Sequence, residues 1–110
     1  MTAASRSLRT DVRNPILALP SSAKLAALSP EARDALAEVL GEIAMDARQR
    51  AEKCWRTHKA PMAAYWKACS VYAGHIRRAL RQPPAKPVYR SFAELNAGRN
   101  SVHGYRTLGA

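Results

Sequence analysis

Thr57-His58-Lys59-Ala60-Pro61 separates two long stretches of helical periodicity, and its reading decides the fold. Pro61 has no backbone N–H with which to continue a preceding helix, but its fixed φ suits the first turn of a new one. The segment therefore reads as a short turn, and a short turn makes the two helices antiparallel neighbours. Upstream, Ser29-Pro30-Glu31 supplies an N-cap hydroxyl, a proline at the first helical position and an acid in the first turn. Apolar or small residues then recur in threes and fours at Leu36, Leu40, Ile43, Ala47, Ala51 and Cys54, flanked by Val39 and Trp55. This predicts a first helix over 30–56, with Asp34, Glu38, Glu42 and Asp46 as the opposite, acidic stripe. Gly41 inside it costs about 1 kcal/mol against alanine, so close packing or a slight bend is expected there. Downstream, Met62, Tyr65, Trp66, Cys69, Tyr72, Ala73, Ile76 and Leu80 fall within about 120° of arc, which predicts a second helix over 61–81.

Outside this hairpin the signals are shorter. Residues 1–20 mix Ser, Thr, Arg, Asn and Pro without sustained periodicity and read as a basic flexible arm, its end pinned by Ile16, Leu17 and Leu19. A short helix is expected from Ser21 or Ser22 to Leu28. Pro83-Pro84-Ala85-Lys86-Pro87 reads as a stiff extended spacer. Ser91 and Glu94 then form a capping-box pattern for a short helix over 91–97, closed by Gly98 and followed by a loose tail. The chain thus divides into an arm (1–20), a helical domain (21–82) and a Pro-rich spacer, short helix and tail (83–110). The fold class is all-α.

Twenty-two of the 110 residues are alanine and only 6% are aromatic, so the apolar content consists mostly of small side chains that each bury little area. Two such helices cannot enclose a core between them. The expected remedy is a homodimer forming a four-helix arrangement.

The formal charge of +10 attracts nucleic acid or acidic protein surfaces. It is unevenly placed: six of the eight acids lie between Glu31 and Glu52, whereas residues 53–93 contain none. No 18-residue apolar stretch suits a membrane span, and Met1 to Arg13 lacks a signal-peptide core. Two cysteines, Cys54 and Cys69, do not make a disulfide framework or a zinc spacing, which places the chain in a reducing cytoplasm. No metal or other cofactor is expected.

The acid-free stretch carries the candidate nucleic-acid-binding residues Lys53, Arg56, Lys59, Lys67, Arg77, Arg78 and Arg81. On the second helix, Ala63, Lys67, Ser70, Gly74, Arg77, Arg78 and Arg81 share one face, combining cations with small side chains. Two readings stand. Small residues would let the backbone approach a phosphate strand while the cations neutralise it; or they would let another helix pack closely, with the cations facing acids such as those of the first helix. Around the turn, Trp55, Tyr65 and Trp66 interleave with Lys53, Arg56, Lys59 and Lys67, as on single-strand-binding surfaces. Tyr65 and Trp66 also fall on the apolar stripe, where a core role is expected. Cys54 and His58 are spaced to touch, but no third group would orient the histidine, and no catalytic residue is assigned.

The run Arg50-Ala51-Glu52-Lys53-Cys54-Trp55-Arg56 through Trp66-Lys67, continued by Val71-Tyr72-Ala73-Gly74-His75, resembles uncharacterised small proteins of prophages and mobile elements in GC-rich bacteria. The resemblance covers only the hairpin and implies a regulator, a DNA-packaging or recombination accessory, or an inhibitor of host defence. Together these readings lead to an expected non-enzymatic nucleic-acid-binding accessory, with DNA favoured over RNA. The alternative is an inhibitor or adaptor that sets its basic face on an acidic protein.

Overall fold

The structure, a computed structural model, describes residues 13–85 and 89–103. All regular structure among them is helical: 3-10 turns at Pro15–Ala18 and Pro20–Ala27, then α1 (Pro30–Arg56), α2 (Ala60–Arg81) and α3 (Phe92–His103). The all-α fold and the antiparallel hairpin follow the sequence expectation. Ser29 caps α1 by accepting a hydrogen bond from the Ala32 N–H at 3.1 Å, and Pro30 opens the helix.

The turn closes α1 with a Schellman motif. The Lys59 N–H donates to the Cys54 carbonyl at 2.8 Å and the His58 N–H to the Trp55 carbonyl at 3.2 Å. His58 occupies the left-handed position of that motif, with φ 63°, where glycine is the usual residue. The ring of His58 and the thiol of Cys54 share no hydrogen bond, so the turn does not assemble a Cys–His pair.

The helices meet along a face turned partly away from the one that hydropathy predicts, sharing Ala47, Ala73 and Leu80 with it. The buried hydrophobic residues of the hairpin are Ala37, Ala47, Ala63, Ala73, Ala79 and Leu80. Leu36, Ile43, Met62, Tyr65 and Tyr72, all expected in the core, stand about half exposed. Alanines allow the two backbones to approach so closely that the Ser70 hydroxyl donates to the Ala44 carbonyl at 2.9 Å, 26 residues away. Larger side chains on that seam would hold the helices apart, so the contact is turned around both axes toward the small residues, and the bulky stripe is left at its edge. For Ala63 and Ser70, packing on a neighbouring helix is therefore the arrangement found, and that helix belongs to the same chain.

The stretch assigned to an arm divides in two: residues 1–12 lie outside the described residues, while residues 13–20 are folded against α2. Asn14, buried, does most of this. Its Oδ1 accepts from the Ile16 N–H at 3.1 Å, capping the first 3-10 turn, and its Nδ2 donates to the His75 carbonyl at 2.9 Å. Ser22, also buried, donates to the Leu19 carbonyl at 2.8 Å. The expected helix at 21–28 is 3-10 over Pro20–Ala27; the Ser22 hydroxyl, folded back on the preceding turn, competes with regular α-helical bonding there.

Downstream, Lys86 lies outside the described residues, as do residues 104–110 of the tail. Ser91 does cap α3, accepting from the Glu94 N–H at 3.1 Å. The expected end at Gly98 is wrong: α3 continues to His103. A Cβ at Gly98 would stand 3.6 Å from the Tyr89 ring, so the glycine gives that ring a surface to lie against rather than stopping the helix.

Candidate nucleic-acid interface

The seven cations named from the sequence do not share one surface. At the turn, Trp55, Arg56 and Lys67 line a concavity of about 650 Å³, floored by Ala60, Ala63 and Ala64 and carrying Glu52 as its acid. Trp55 is 69% exposed, far more than a packing role requires. Opposite Trp55, α2 presents Ala60, Ala63 and Ala64, side chains too small to cover the indole. Lys53 and Lys59 are exposed at the same end of the hairpin.

Arg77 and Arg81 sit elsewhere, in the last two turns of α2. They line a groove of about 790 Å³ whose other wall carries Asp34, Glu38 and Glu42, with Arg48 at its end. The Arg77 side chain crosses α1 at Gly41, where an added Cβ would lie 3.1 Å from its Nε. That Nε is buried without a hydrogen-bond partner. Among the described residues, none of these carboxylates comes within ion-pair distance of Arg77 or Arg81; the pair formed is Arg50 Nε with Asp46 Oδ2, at 2.8 Å. The groove is thus mixed in charge, and its acidic wall would repel a phosphate strand.

Arg78 occupies a third place. Its guanidinium lies 3.3 Å from the His75 Nδ1, beside Arg13, Asn14 and Leu17 of the N-terminal segment. A guanidinium only donates, so this contact requires an unprotonated Nδ1. Burial, and then the charge of Arg78, hold the His75 pKa below its ordinary value.

The aromatic cluster also divides. Trp66 is half-buried, with the Arg50 guanidinium 4.9 Å above its ring centroid and Tyr65 against it edge-on at 5.1 Å. Tyr65 is 56% exposed rather than buried. Of the turn cations named with Trp55 from the sequence, the structure brings Arg56 and Lys67 to it; the groove and the role of Asn14 are not visible in the sequence. A hydrogen bond to a carbonyl 61 residues away leaves no local signal.

The described residues contain no group of three His, Cys, Asp or Glu side chains able to hold a metal ion. No helix among them is long and apolar enough to cross a membrane. Neither family models nor curated proteins nor solved structures yield a match to this chain.

Proposed function

We propose that this chain is a non-enzymatic nucleic-acid-binding accessory or regulator, of phage or mobile-element type, acting in the cytoplasm on DNA in preference to RNA. The observation that supports this best is the open indole of Trp55, set in a concavity with Arg56 and Lys67, with Lys53 and Lys59 exposed elsewhere at the same end of the hairpin. A flat aromatic face beside cations offers an unpaired base a stacking surface while the cations meet its phosphates. Arg77, Arg78 and Arg81 contribute to the general positive field rather than to this contact, because acids or the N-terminal segment surround them.

Tryptophan fluorescence titrated with single-stranded and duplex oligonucleotides at several salt concentrations tests the reading. Quenching should weaken steeply with salt. Trp55→Ala should weaken single-strand binding by about 1–3 kcal/mol, roughly 5- to 150-fold. Absence of binding to either form at low salt would remove the proposal.

A second reading has its own support. Tryptophan and arginine are the residues richest in protein-interface hot spots, and Trp55 with Arg56 would equally suit an acidic protein surface, as an inhibitor or adaptor requires. A pull-down whose partner survives nuclease treatment would favour it. Pairing of two chains into a four-helix arrangement is part of the same proposal.

A further inference from the structure

Between Ala60 and Ile76, α2 carries a single Lys or Arg, Lys67, and no acid. A helix that is apolar around its circumference belongs in an interior. Here α1 covers one side, through Ala63, Ser70 and Ala73, and the N-terminal segment covers the side near His75. Of the two sides left open, one carries Lys67 and Val71, and the other is broadly apolar: Met62 is 46% exposed, Tyr65 56% and Tyr72 52%. Leu36 and Ile43 of α1, 46% and 45% exposed, lie two turns apart on the edge that continues to Arg50. Because Arg50 lies over the Trp66 ring, that edge of α1 adjoins this side of α2.

We infer that this face, formed by Leu36 and Ile43 of α1 with Met62, Tyr65 and Tyr72 of α2, docks a second copy of the chain. The inference rests on the dimer reading above and adds the surface that performs it. Five large side chains at about half exposure present on the order of 500 Å², the apolar centre of an interface that in standard complexes covers about 800 Å² per partner. Charge selects the occupant. Two chains of +10 repel each other wherever their cations oppose, but none of these five residues is charged, and Arg50 at the edge is paired with Asp46. An acidic partner would find nothing here to attract it and would be drawn to the cations at the turn. The same patch on both chains suits a twofold pairing, with the tyrosine hydroxyls reaching the wet rim.

Light scattering and sedimentation across a concentration series test this. The parent should show about twice the 12.1 kDa chain mass. The double variant Tyr65→Ser, Tyr72→Ser, and separately Ile43→Asp, should raise the dimer Kd by about tenfold or more while keeping parental helicity, since these positions are already half in water. Lys67→Ser, on the other side of α2, should leave the dimer intact. A parent that stays monomeric at the highest concentration reached overturns the dimer reading itself. A dimeric parent whose face variants pair equally well shows instead that another surface is used. A second measurement uses Ala68→Cys, exposed between the two tyrosines, in a Cys54→Ser, Cys69→Ser background: a short bis-maleimide should link two chains through it, and failure to link this variant while it is dimeric overturns the assignment of this face.

Discussion

Two single residues in the hairpin stand in conformations or spaces that another residue would suit better. His58 holds a left-handed φ at a position where a Cβ costs about 1–2 kcal/mol. His58→Gly should therefore stabilise the fold by about 1 kcal/mol, raising Tm by roughly 4–8 °C, as calorimetry would show. Gly74 poses the reverse case: a Cβ there meets nothing within 4 Å, so Gly74→Ala gains about 1 kcal/mol of helix propensity. If Gly74 lies off the nucleic-acid surface, this variant should melt higher and bind oligonucleotides as the parent does; weaker binding would restore the reading in which its small side admits a phosphate strand. His75 gives a pH dependence. Its folded pKa lies below the unfolded one, so the unfolded state takes up the proton first. The contribution to stability is full above about pH 6.5 and is lost as pH falls through the folded value. Melting curves of the parent should fall relative to those of His75→Gln over that descent, and parallel curves would show that the Arg78 contact does not depend on a neutral ring.

At the scale of elements, the boundaries of α1 and α2 are legible and the contacting faces only in part. Ser29, Pro30 and Pro61 act through local geometry that a sequence displays directly. Which face packs depends instead on how close two backbones can come. Hydropathy ranks Leu36 and Ile43 above Ala37 and Ala44, yet the smaller pair admits the closer approach. Gly98 was read as a stop because nothing local reveals that Tyr89 lies against it. The alanine seam makes a sharp prediction. Ala47→Leu would strengthen a seam built from the bulky stripe, since Ala47 belongs to that stripe as well; against the close approach found here, it should overpack and destabilise by about 1–3 kcal/mol. Urea denaturation with an unchanged m-value would measure it, and a stabilised variant would mean that the helices meet less closely.

For the molecule as a whole, charge was legible in amount and only partly in placement. The acid-free stretch from 53 to 93 is plain in the sequence, but its cations fall at three places because α2 turns them through different azimuths. This separates two sets of variants. Replacing Lys53, Arg56, Lys59 and Lys67 by alanine should reduce the duplex salt slope by up to about 0.9 for each phosphate that is no longer neutralised. Replacing Arg77 and Arg81 should leave the slope nearly unchanged. Equal reductions from the two sets would mean that the whole positive field, and not the turn, holds the nucleic acid.

The hydrogen bond from Asn14 to the His75 carbonyl also sets an order in time. Sixty-one residues separate the two partners, so during synthesis at about 5–20 residues per second the N-terminal segment waits roughly 3–12 s before its docking site has been made. The hairpin, whose helices are joined by a short turn, needs no such wait and can close within microseconds to milliseconds once it emerges. The segment can thus dock only after most of α2 has been made, and as two short 3-10 turns laid on a hairpin that forms without it, it is the part that can leave alone. Hydrogen exchange should show the amides of residues 16–28 opening independently of those in α1 and α2, while the hairpin stays closed.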